Sequence, residues 1–98
     1  VGTNSAATLA MRKAGATRAA TGENTVVVAC RTADVIVGPV GIAVADALMG
    51  EVTPRMAEAV GSSRARRVLI PVNACETIIV GVEEVGIATL VRKAVELL

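Results

Sequence analysis

In the C-terminal segment, Ile87, Leu90, Val91, Ala94, Val95 and Leu98 recur at i, i+3, i+4, i+7, i+8 and i+11, with Arg92, Lys93 and Glu96 between them. That spacing traces one face of a helix and predicts a helix to the end of the chain. Upstream, "VLIPV" at Val68 to Val72 is a short apolar block rich in β-branched residues, following the charged run "RARR" at Arg64 to Arg67. It predicts a buried strand, and "TIIVGV" at Thr77 to Val82 predicts another. Thr53 before Pro54 sets an N-cap hydroxyl ahead of a proline suited to a first helical position. The helix they open has Met56, Ala57 and Val60 on its apolar face and ends at Gly61 and the serines beyond it. Ser5 to Ala14 is alanine-rich and stops at Gly15, the pattern of a helix with a glycine past its last turn.

The segment "TGENTVVVACRTA", Thr21 to Ala33, is open to two readings: Val26 to Val28 favour a strand, whereas its length and cap-like Thr21 favour a helix. The alternation of the whole chain decides for a helix. After it, "DVIVGPVG" at Asp34 to Gly41 reads as a strand over 34 to 39 meeting two glycines and a proline, then a helix over 42 to 49. With a short strand near Arg18 to Ala20, the order becomes helix, strand, helix, strand, helix, helix, strand, strand, helix. This is the rhythm of an α/β fold with a mostly parallel sheet. No repeat, low-complexity tract or linker interrupts it, so residues 1–98 read as one domain.

Composition narrows the chemistry. With ten basic and nine acidic residues the formal net charge is +1, which provides no general field toward nucleic acid or an anionic membrane. The apolar run Val35 to Ala45 falls short of the ~20 residues that span a bilayer. The chain has no Phe, Tyr or Trp and hence no aromatic platform for bases. It has no His either, so it lacks the commonest general base and metal ligand. No catalytic or metal-ligating residue is assigned. Cys30 and Cys75, outside any C-x-x-C frame, suit a reducing cytosol, and Val1 opens no secretion signal. The expectation is a cytoplasmic protein, without nucleic-acid or membrane partners.

In open parallel sheets, ligands bind beyond the carboxyl ends of the strands. Three turns fall there: "VGTN" at Val1 to Asn4, "GPVG" at Gly38 to Gly41 and "PVNAC" at Pro71 to Cys75. They nominate Gly2, Thr3, Asn4, Gly38, Pro39, Gly41 and Asn73 as a binding set. A helix starting directly after Gly41 would aim free backbone N–H groups and its positive dipole end at a phosphate or carboxylate. The plainer account is that these glycines only permit tight turns. Thr21, Gly22, Glu23 and Asn24 form a second polar cluster, more simply read as Thr21 or Asn24 capping a helix. Asp46 could orient a ligand or merely face solvent. Cys75 could be a nucleophile but has no sequence neighbour to lower its pKa, and Cys30 reads as core. "RARR" precedes a strand and so lies at the amino edge, read as a solvated loop. Glu83 and Glu84 are adjacent and point apart, so they are not a paired-carboxylate site.

The segments "VGTNSAATLAMRKAGA", "TGENTVVVACRTADVIVGPVGI", "GEVTPRMAEAVG" and "LIPVNAC" together resemble an uncharacterised bacterial family, a domain of unknown function, across essentially the whole chain. The resemblance implies a Rossmann-like three-layer α/β/α fold. Members of that family open with a strand and a glycine-rich turn of the "DGQGGGIG" type, and this sequence has no such segment, so the fold is expected to be incomplete at the N-terminus. The gap between the strand ending at Val1 and that of 34 to 39 is expected to be filled by an upstream segment or another chain. The expected function is binding of a small anionic or nucleotide-type ligand, with a nucleotide or dinucleotide as the implied cofactor. The alternative is a non-catalytic, self-associating structural or regulatory subunit.

Overall fold

Asn4 starts the first helix by doing what an N-cap does: its Oδ1 accepts the Ala7 N–H at 2.8 Å. This helix, α1 (Ser5–Lys13), stops as the glycine pattern requires, for Gly15 takes φ 116°. Its N–H donates to Arg12 O and that of Ala16 to Met11 O, each at 3.0 Å, the paired bonds of a Schellman termination. The computed structural model describes residues 1–72, 77–82 and 85–98.

The strand expected near Arg18 to Ala20 is reduced to a single parallel bridge between Gly2 and Thr21. Gly2 N–H donates to Ala20 O and Gly22 N–H to Gly2 O, each at 3.0 Å. Gly22, at φ 107°, then turns the chain out of the extended state before a ladder can grow. It also stands at the N-cap of α2 (Glu23–Thr32), without a side-chain cap, so neither Thr21 nor Asn24 caps that helix. The helical reading of Val26 to Val28 holds.

β1 (Val35–Pro39) and β2 (Arg66–Ile70) pair in parallel, in register from Val35 opposite Arg66 to Pro39 opposite Ile70. β2 therefore begins two residues earlier than the apolar block suggested, drawing in Arg66 and Arg67, and stops before Pro71, which has no N–H for a ladder. Between the strands lies α3 (Pro54–Ser62), where Thr53 Oγ1 accepts the Met56 N–H at 3.2 Å. α4 (Ile87–Glu96) packs against β2. Of its apolar stripe, Ala94 is buried, while Ile87, Val91 and Val95 remain exposed.

Two predicted elements are absent. In place of a helix over 42 to 49 there is a short 3-10 helix, Val40–Ala43, followed by turns in which Asp46, Leu48 and Met49 take φ of 63°, 57° and 58°. The loop is closed by Asp46 N–H to Val52 O at 2.7 Å and Val52 N–H to Ala47 O at 3.1 Å. Closure carries Ala47 and Leu48 onto the buried cluster of Val52, Met56 and Ala57, with Val26 of α2 alongside. Burial of those side chains outweighs a helical pattern only two turns long. Thr77 to Val82 is likewise not a strand: Gly81 takes φ 87° inside the run, and Ile78 and Val80 are 80% and 94% exposed. Among the described residues nothing pairs with it.

The molecule is thus a small α/β structure of four α-helices and a two-stranded parallel sheet among the described residues. Its core runs through Val52, Met56, Ala57, Val60, Ala65 and Val68. No described helix is long and apolar enough to cross a membrane.

Candidate functional site

The turn Val1 to Asn4 is held from two sides. Gly2 is buried, and a Cβ added there would lie 2.7 Å from Thr8 N and 2.9 Å from Asn4 O, besides striking Thr8 Oγ1. Only a residue without a side chain fits so close to the start of α1. Behind it, the Thr8 and Thr21 hydroxyls are 2.6 Å apart, and Thr8 Oγ1 also lies 3.3 Å from Ala20 O. Thr21, nominated as part of a polar cluster, is thereby engaged in joining α1 to the Gly2 bridge.

On the outer side, Thr3 Oγ1 donates to Glu51 Oε2 at 3.1 Å and Asn4 Nδ2 donates to Glu51 Oε1 at 3.0 Å. One carboxylate thus joins the first turn to the loop that follows β1 and its 3-10 helix. Nothing in the sequence periodicity singled out Glu51. It stands between Gly50 and Val52, in the loop whose closure brings it across the 47 positions separating it from Asn4.

The "GPVG" turn is built differently from its sequence reading. Gly38 and Pro39 are the last residues of β1, opposite Leu69 and Ile70. Gly41 is buried inside the 3-10 helix, where an added Cβ would meet Ala47 Cβ at 3.5 Å. With no α-helix over 42 to 49, the dipole argument for an anion cradle after Gly41 falls away: a four-residue 3-10 helix aligns too few peptides. Asn73 lies outside the described residues, as do Cys75, Glu83 and Glu84. Asp46 is exposed in the left-handed turn. Glu23 is paired with Arg55 at 3.6 Å.

The chemistry available at this edge is that of an exposed acceptor on a fixed frame. A carboxylate offers about four lone-pair directions, and Thr3 and Asn4 use two of them on Glu51. The remainder can take hydroxyl or amino hydrogens of a ligand. A phosphate, by contrast, is repelled by Glu51 and must sit away from it. Among the described residues no group of three His, Cys, Asp or Glu is placed to hold a metal ion.

Cys30, read as core, is instead half-buried on α2, where it lines the groove facing α3. Burial pushes its thiol above the ordinary value of 9.0. The Ser63 hydroxyl donates to its carbonyl at 2.8 Å. The "RARR" run, read as a solvated loop, divides: Arg64 precedes β2, Arg66 lies exposed in it, and the Arg67 guanidinium donates to Ser63 O at 2.8 Å and Val60 O at 3.4 Å. Arg67 thereby satisfies carbonyls left free near the end of α3.

Over residues 1–98 the sequence matches the family model described as a domain of unknown function, DUF3842, and the chain belongs to that family. No curated protein and no solved structure matches it.

Proposed function

We propose, from that membership and the geometry above, that the protein is a Rossmann-like member of a bacterial family, working in the cytoplasm and binding a small nucleotide-type ligand at the carboxyl edge of its sheet. The observation that carries the reading is the Glu51 carboxylate, which ties Thr3 and Asn4 of the first turn to the loop after β1. Turns from two separate chain segments meet there, and such convergence makes a ligand crevice in α/β proteins. In this reading Glu51 accepts from ligand hydroxyls, as an acidic residue does from a ribose, while Gly38, Pro39 and Gly41 form the wall against which the anionic part lies. Gly2, Thr3 and Asn4 frame the other side, and Asn73, which lies outside the described residues, is added to the set from the sequence alone. No reaction is assigned.

A thermal-shift series with AMP, ADP, NAD and ribose 5-phosphate at millimolar concentration tests this. A ligand at ten times its Kd stabilises the fold by about 1.4 kcal/mol, a rise of several degrees in a chain of this size. The rise should vanish in Glu51→Ala. No shift with any of the four, or an undiminished shift in Glu51→Ala, overturns the reading.

A second reading, self-association, is favoured by the surface. Met49 is 98% exposed, Ile78 and Val80 are nearly as bare, and among the described residues β1 is paired on one edge only. Apolar side chains and an unpaired edge invite another copy. Light scattering over a hundredfold concentration range should show a mass that rises with concentration; a constant monomer mass removes it.

A further inference from the structure

α2 and α3 lie side by side and run in the same direction: Glu23 and Arg55 pair near their starts, and Ser63 Oγ reaches Cys30 O near their ends. Between them is a cavity of about 420 Å³ lined by Val27, Cys30 and Ala59 as apolar floor and by Arg31, Arg55 and Arg64 among its polar walls. The volume falls in the range of small-molecule sites.

The hydrogen-bonding capacity of the walls is unevenly committed. Ser62 Oγ donates to Glu58 O at 2.6 Å, and Ser63 Oγ donates to Cys30 O while accepting the Ala65 N–H at 3.1 Å, so neither hydroxyl has a hydrogen left to give. Arg55 shares one ion pair, with Glu23. Arg31 and Arg64 have no hydrogen-bond or ion-pair partner among the described residues. Three guanidiniums against the single carboxylate of Glu58 give the lining an excess of positive charge. Their planar donor forks suit phosphate and carboxylate oxygens.

We infer that the groove between α2 and α3 is a second binding site, for a small organic or inorganic polyanion of the phosphate class, held by Arg31, Arg55 and Arg64 over the Val27–Ala59 floor. Its lining shares no residue with the Thr3–Asn4–Glu51 frame, so it is separate from the carboxyl-edge crevice and does not depend on it. It also divides the basic run by role: Arg64 binds, Arg67 supports α3, and Arg66 belongs to neither.

Isothermal titration of the full chain with inorganic pyrophosphate at low ionic strength is the test. Saturable binding is expected, weakening as salt rises and at least tenfold weaker in the double variant Arg31→Gln, Arg64→Gln. Arg64→Gln alone should already weaken binding, whereas Arg66→Gln, which removes the same single charge from the same run but outside the cavity, should bind as the parent does. Glu51→Ala should also leave this binding unchanged, which separates it from the carboxyl-edge reading. Absence of saturable binding overturns the inference, as does an equal loss in Arg66→Gln, which would reveal diffuse surface charge. Urea unfolding of each variant distinguishes lost binding from lost fold.

Discussion

Asn4 uses both ends of its side-chain amide: Oδ1 receives the Ala7 N–H that opens α1, and Nδ2 donates to Glu51 Oε1 at 3.0 Å. A single side chain therefore starts a helix and docks a distant loop. Asn4→Ala should cost about 1–2 kcal/mol, because it removes the cap as well as the link. Glu51→Ala should cost less, about 0.5–1 kcal/mol, since its bonds are exposed. In a double-mutant cycle read by urea unfolding, a coupling near 0.5 kcal/mol or more is expected. Strict additivity would mean that the two residues do not interact in solution.

Gly2→Ala should destabilise by roughly 1–3 kcal/mol, since the new Cβ meets backbone at 2.7 and 2.9 Å, which cannot swing aside as a side-chain tip can. Gly61, inside α3 with nothing within 4 Å of a new Cβ, is the counterpart. There Gly→Ala should stabilise by about 0.5–1 kcal/mol. Melting curves of the two variants should move in opposite directions.

Met49 holds φ 58° while almost wholly exposed, so its side chain gains little that would offset a left-handed backbone. Met49→Gly should stabilise by about 1 kcal/mol. A loss of stability in that variant would show that the loop takes another conformation in solution.

Val52, 1% exposed at the centre of the cluster with Met56 and Ala57, closes the same loop through its backbone. Val52→Ala should cost on the order of 2 kcal/mol, the transfer and cavity cost of a truncated core side chain. In a domain whose whole stability is about 5–15 kcal/mol, that should lower the urea midpoint visibly.

Burial raises the Cys30 thiol, so the folded state holds its proton to higher pH than the unfolded chain does. The stability from this group is fully present below the unfolded thiol's pKa and is lost as pH rises through the raised folded value. In a Cys75→Ser background, alkylation by iodoacetamide should be slower in the native state than in urea at pH 8, and the difference should narrow as pH rises. Equal rates would mean that the thiol is not shielded.

Local chemistry was legible wherever an element is decided by its own residues. Thr53 and Pro54 marked the start of α3 and Gly15 the end of α1, because caps, φ limits and backbone bonding act within a few positions; Val26 to Val28 were decided for a helix only by the order of elements along the whole chain. What those residues could not decide is which surface each segment would bury. The pattern "IAVADALM" suits a helix, yet Leu48 and Ala47 gain more by folding back onto Val52 and Met56, a contact that exists only once α3 is in place. Thr77 to Val82 has a strand's composition, but a strand needs a neighbour's hydrogen bonds. The candidate site divides in the same way: Thr3 and Asn4 could be nominated from their turn, whereas Glu51 belongs to the site only because loop closure sets its carboxylate beside them. Hydrogen bonds within a turn are written in adjacent residues; those between turns depend on which burial wins.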